Sequence, residues 1–150
     1  MSRKGMKAAV HYGNELPEFS CYAEAEAALC ALRNNTLSDL ISDLGEAISL
    51  DFSGESLKRL ETWFIENGSP ETGRTGYSLN HAIGFYFGEV LCKTSNFSWV
   101  VEEFPFQRGR YGIGVTRPLL SIMLTKGKRP SISGNKRMQS LWREWKSYAL

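Results

Sequence analysis

The chain has 150 residues, 42% hydrophobic and 23% charged, with a formal net charge of +2, the composition of one ordinary globular domain, 1–150, large enough to hold a core without staples. No apolar run approaches the ~20 residues that span a bilayer, and the basic start Met1–Lys7 is followed by too short an apolar stretch for a signal-peptide core, so a cytoplasmic protein without membrane association is expected. Cys21, Cys30 and Cys92 are scattered and odd in number, and His11 and His81 lie far apart, which argues against a disulfide framework, a structural zinc site or any other cofactor.

Residues 1–16 read as irregular or weakly strand-like. Pro17-Glu18-Phe19-Ser20 opens a helix from Cys21 to Leu32, rich in Ala, Glu and Leu, which Asn34-Asn35 ends. Thr36 caps a second helix, with Asp39 three residues on and a stripe of Leu37, Leu40, Ile41, Leu44 and Ile48; the short connection predicts an antiparallel helical hairpin. A third helix starts at Ser53, its N-cap, and is stopped by Gly68 and Pro70. Residues 69–77 read as a loop.

The fourth helix runs from about Ser78 to Lys93. Leu79, Ala82, Ile83, Tyr86, Val90 and Leu91 form one stripe, and His81, Gly84, Phe85, Gly88 and Cys92 a second, so this helix is central and buried, with Gly84 and Gly88 offering a flat groove to a neighbouring backbone. After Asn96 the period changes to two. Phe97–Glu102 and Tyr111–Thr116 predict an antiparallel hairpin, the Gly112 and Gly114 face suited to close contact with a helix. Leu119–Leu124 is either a short helix or a third strand. A basic loop over 126–135 leads to a terminal amphipathic helix carrying Met138, Leu141, Trp142, Trp145 and Tyr148.

Charge is distributed unevenly. Residues 1–103 carry 8 basic and 15 acidic side chains, and residues 104–150 carry 10 basic and 1 acidic. The halves either attract each other within one fold or leave one acidic and one basic surface.

Glu89, inside Gly84-Phe85-Tyr86-Phe87-Gly88-Glu89-Val90-Leu91, is the residue that calls for an explanation. One reading is a general acid or base. The other, which the pattern favours, is a carboxylate anchored by Lys93 at i+4, by an arginine or by a backbone amide. His81 is two helical turns from Glu89, too far for a direct bond, and reads as a core or boundary histidine. The glycines of Arg108–Gly114 lie in a strand pattern and lack the phosphate-loop signature. The cations Lys126, Lys128, Arg129, Lys136, Arg137, Arg143 and Lys146 stand near Trp142, Trp145 and Tyr148, as nucleic-acid surfaces require, but those aromatics share a stripe with Leu141 and read as core; nucleic-acid binding is not favoured.

Three segments resemble a group of small bacterial proteins of unknown or immunity-type function: Leu50-Asp51-Phe52-Ser53-Gly54-Glu55-Ser56-Leu57, like that group's L-D-[FY]-S-x-x-S-L; the helix with Gly84, Tyr86, Gly88, Glu89 and Val90, like its G-x-Y-x-G-E-V; and Trp99 with its strand, followed by Arg117-Pro118. The resemblance covers roughly residues 50 to 125. It implies an α+β domain, a role as an immunity protein, and scaffold roles for Asp51, Glu89 and Trp99.

The expectation is therefore an α+β fold: a helical N-terminal half (a helical hairpin plus two further helices) packed on a small antiparallel sheet, with a C-terminal helix. Its structural motif is Asp51, Ser53, Gly84, Tyr86, Gly88, Glu89 and Trp99. The expected function is non-enzymatic: binding a protein partner, a cognate toxin, through exposed residues such as Arg74, Tyr77, Arg108, Arg110, Lys128 and Arg129. The alternatives are nucleic-acid binding through the basic C-terminal segment and a small enzyme centred on Glu89. No oligomeric state follows from the pattern.

Overall fold

The computed structural model describes residues 3–130 and 140–149. These form an α+β fold with helices α1 (Arg3–Asn14), α2 (Tyr22–Leu44), α3 (Gly54–Glu66), α4 (Leu79–Thr94) and α5 (Leu141–Tyr148), and strands β1 (Ser98–Glu103), β2 (Tyr111–Arg117) and β3 (Leu120–Met123). The helical N-terminal half, the antiparallel sheet and the C-terminal helix are those expected. Lys136, Arg137 and Met138 lie outside the described residues.

Residues 3–14 are helical where an irregular or strand-like start was expected. Lys, Met and Ala favour a helix, and Gly5 and Gly13 interrupt the apolar period that would have revealed it. Gly13 is needed, since a Cβ there would sit 3.0 Å from the Phe104 ring.

The expected helical hairpin is also corrected. Residues 22–44 form one continuous helix through Asn34-Asn35. Thr36 is not a cap; it is buried mid-helix, in line with Ala25, Leu29, Leu40 and Leu44. An exposed Asn costs at most ~0.7 kcal/mol within a helix, whereas each buried Leu gains about 1.5–3 kcal/mol, so the continuous face prevails. Gly45 ends the helix, its N–H donating to the Ile41 carbonyl at 2.9 Å.

α3 and α4 begin where expected. The Ser53 hydroxyl accepts from the Ser56 N–H, and the Ser78 hydroxyl from the His81 N–H. The sheet is an antiparallel meander in the order β1-β2-β3, Val101 facing Ile113 and Val115 facing Ile122. Residues 120–123 are thus a strand, closed onto β2 by a two-residue turn at Pro118-Leu119. Gly112 and Gly114, the face expected to suit a helix, have their tightest contacts elsewhere. They accept β3 and its continuation: a Cβ on Gly112 would lie 2.7 Å from Thr125 Oγ1, and one on Gly114 would lie 2.9 Å from the Met123 Cα.

The core divides at α4. Leu79, Ala82, Ile83, Tyr86, Val90 and Leu91 pack with Leu40 and Leu44 of α2, Leu57, Leu60 and Phe64 of α3, and Leu141 of α5. Phe85 packs with Ala25 and Leu29 of α2 and with Val101, Tyr111 and Ile113 of the sheet. The two glycines do what the groove required. A Cβ on Gly84 would meet the Gly127 Cα at 2.9 Å, and one on Gly88 would meet Leu124 and Trp99, both at 2.6 Å.

Candidate functional site

The two resembling segments meet at Tyr86. This phenol is fully buried; its oxygen accepts from the Phe52 N–H at 2.9 Å and shares a hydrogen bond with Ser56 Oγ at 2.5 Å. Ser56 Oγ donates to the Ser53 carbonyl at 2.6 Å, and Ser53 Oγ donates to Asp51 Oδ1 at 2.6 Å. Arg59 closes the chain, reaching Asp51 at 3.3 Å and the Ile48 and Ser49 carbonyls. Phe52 adopts φ 63, a left-handed conformation costly for a side-chain-bearing residue, and stacks on Tyr86 with centroids 5.1 Å apart. The hydrogen bond from Ser53, with Arg59 alongside, holds the Asp51 carboxyl below the usual carboxylate range, while burial pushes the Tyr86 phenol up. Asp51, Ser53 and Tyr86 therefore tie the α3 entrance to α4.

Glu89 is half-buried, and the indole Nε1 of Trp99 donates to its Oε2 at 2.8 Å. The expected Lys93 partner is elsewhere, its ammonium 5.0 Å from the Phe52 ring centroid. The Arg33 guanidinium lies 4.9 Å over the Trp99 ring, and Phe85 meets that ring edge-on. Glu89, Trp99 and Arg33 thus join α4, β1 and α2. Nearby, burial and the Glu89 charge push the Cys92 thiol up to about 11.

A third carboxylate, which sequence reasoning missed, is Glu61 of α3. It is 5% exposed, and its Oε2 accepts from the Leu141 N–H at 2.9 Å and the Ser140 hydroxyl at 3.1 Å. It caps α5 from another helix, offering an acceptor to the otherwise unsatisfied amides there. The partners are some 80 positions apart, so no local pattern carries this contact.

The expected partner-contact residues divide. Tyr77 is buried, donating to Asp43 Oδ2 at 2.8 Å; burial and that carboxylate push its phenol up. Arg110 holds the Leu16 carbonyl at 2.8 Å and Glu18 at 3.4 Å. Lys128 binds both oxygens of Glu144 at 2.7 and 2.8 Å. Arg129 binds the Ser69 carbonyl at 2.7 Å and Asn80 Oδ1 at 3.1 Å. Arg74 and Arg108 are exposed. Further along, Arg117 binds the Ser95 and Tyr148 carbonyls, both at 2.9 Å, and Lys126 pairs with Glu15, lowering that carboxyl's pKa. Two of these contacts, Arg110 with Glu18 and Lys126 with Glu15, are charge pairs between the two halves; Lys128 pairs within the second half, and Arg117 and Arg129 hold neutral groups.

His81 Nδ1 lies 2.8 Å from the capping hydroxyl of Ser78. His81 also edges an open cleft of about 550 Å³, floored by Pro17, Phe19, Leu29 and Leu32 and rimmed by Glu15 and Lys126. Among the described residues no three His, Cys, Asp or Glu side chains gather as metal ligands, and no helix is long and apolar enough to cross a membrane.

These features define an α+β protein whose carboxylates, hydroxyls and cations chiefly fasten one element to another. Residues 18–149 match the model of the family described as "Uncharacterised protein YwmA", and the chain belongs to that family. No curated protein and no solved structure matched it.

Proposed function

We propose that this protein is a non-enzymatic binding protein acting in the cytoplasm without a cofactor, and that it serves as an immunity protein that neutralises a toxin by covering its surface. The observation carrying this reading is the different employment of the two charge signs. Arg110, Arg117, Lys126, Lys128 and Arg129 each hold a carbonyl or side chain of the same chain. The acidic residues Glu24, Glu26 and Asp39 stand exposed along α2, whose single cation, Arg33, lies over Trp99. Exposed acidic side chains along this helix suit a partner with a basic surface, such as a nuclease, and steer a fast encounter. Nucleic acid is the poorer match, since Lys126, Lys128 and Arg129 already have partners within the chain.

Co-expression with the toxin encoded beside this protein should restore growth, and failure with that cognate toxin would sink the proposal. Reversing Glu24, Glu26 and Asp39 to Lys should slow association at least tenfold at low salt while leaving the fold intact, read from stopped-flow rates and circular dichroism. An unchanged rate would remove α2 from the interface.

A further inference from the structure

Among the described residues the sheet leaves one edge open. Among the described elements β3 approaches β2 alone. The two-residue turn closes on a hydrogen-bonded pair, Arg117 with Leu120, so the ladder directs the peptide groups of Ser121 and Met123 away from β2. Unpaired peptide groups in a row are a template for another polypeptide strand, and native edges are usually guarded by a charge, a bulge or a covering element. From Pro118 to Thr125 this chain carries no charged residue.

Leu119 adds an independent observation. It occupies the turn at φ 66, a conformation that turns normally assign to glycine or asparagine, and its side chain is fully exposed. A bulky apolar residue is held in a strained backbone at the surface, beside an edge bearing exposed Met123.

We infer that this edge pairs with the same edge of a second copy, β3 antiparallel to β3, to form a six-stranded sheet. Pairing about a two-fold axis normal to the sheet must match residues of the same face. The register centred on Ser121 does this. It sets Ser121 against Ser121, Leu120 against Ile122 and Leu119 against Met123, so the exposed apolar residues of each copy cover those of the other. The outward peptide groups of Ser121 and Met123 are the ones this register bonds, and no like charges face each other. A contact this short belongs to the weak end of protein interfaces, so the dimer forms by mass action as concentration rises. The inference is independent of the immunity reading, because the acidic side of α2 is not part of it.

Sedimentation equilibrium of the full chain from micromolar to millimolar loading tests it. The expected result is a mean mass rising toward twice the chain mass. Ser121→Pro removes an outward N–H, keeping the backbone ladder to β2 but losing the Ser121–Thr116 hydroxyl bond, and Met123→Lys installs an edge charge; each should hold the protein at monomer mass at every loading, with an unchanged melting curve for Met123→Lys. Should Ser121→Pro fail to fold, Met123→Lys decides alone. A wild type that stays monomeric at millimolar loading, or a dimer that persists in the folded variants, overturns the inference.

Discussion

Tyr86 is the residue through which the two halves of the motif communicate. Its hydroxyl satisfies the Phe52 N–H and the Ser56 hydroxyl in a place water does not reach. Tyr86→Phe keeps the ring but orphans the Phe52 N–H and takes from Ser56 Oγ one of its two partners, so unfolding free energy should fall by about 1–3 kcal/mol in urea titration. Cys92 belongs to the same scale. Its thiol, pushed up to about 11, is almost wholly protonated at neutral pH, whereas Cys21 is exposed. Alkylation followed by mass mapping should therefore modify Cys21 well before Cys92; equal rates would show that the α4–β1 corner opens in solution. The sequence placed Asp51, Ser53 and Tyr86 in one motif. It did not reveal that Trp99 is the partner of Glu89, because the indole that answers the carboxylate lies on the next element and Lys93, the local candidate, sits over Phe52.

At the level of elements, α4 supports the packing and two contacts set its neighbours. Gly84 lets the backbone at Gly127 approach, and the Lys128 N–H donates to the Asn80 carbonyl at 2.9 Å. Gly84→Ala would gain helix propensity but drive a methyl into a backbone that cannot yield, for a net loss of about 1–3 kcal/mol in thermal unfolding. The second contact is Glu61 on the start of α5. Glu61→Ala leaves the Leu141 amide without its acceptor and should release α5, with a red shift of tryptophan emission from Trp142 and Trp145 and a loss of about 1–3 kcal/mol. Helix α3 and its cap were readable from residues 51–64, since capping and amphipathic spacing act within a few residues. The unbroken α2 was not, because the weak preference of Asn34-Asn35 for a turn is outweighed only by neighbours distant in the chain.

For the whole molecule, charge and titration set the behaviour with pH. Tyr77 and Tyr86 have phenols raised above the ordinary 10.0, first by burial. A raised folded-state pKa contributes stability that is complete below 10.0 and is lost as the pH climbs through the raised values. Equilibrium unfolding should therefore show stability falling above about pH 10, with a smaller fall in Tyr86→Phe than in the wild type. At the acid end the signs reverse. Glu15 and Asp51 have lowered pKa values, so their ties to Lys126 and Ser53 are present above the ordinary carboxylate range and fade as the pH falls through it.

Much of the architecture was already present in local pattern: the α+β class, the N-cap at Ser53, the start of α4 near Ser78, the buried two-faced α4, the β1–β2 hairpin and the asymmetry of charge. Capping, helical spacing and strand alternation operate over a few residues, so they survive in a linear reading. Tertiary structure alone decided that α1 is a helix, that α2 does not break, that residues 120–123 are a strand with an open edge, and that most cations of the second half are engaged within the chain. Those outcomes depend on partners tens of residues away, and burial against them exceeds the sub-kilocalorie preferences of any single position.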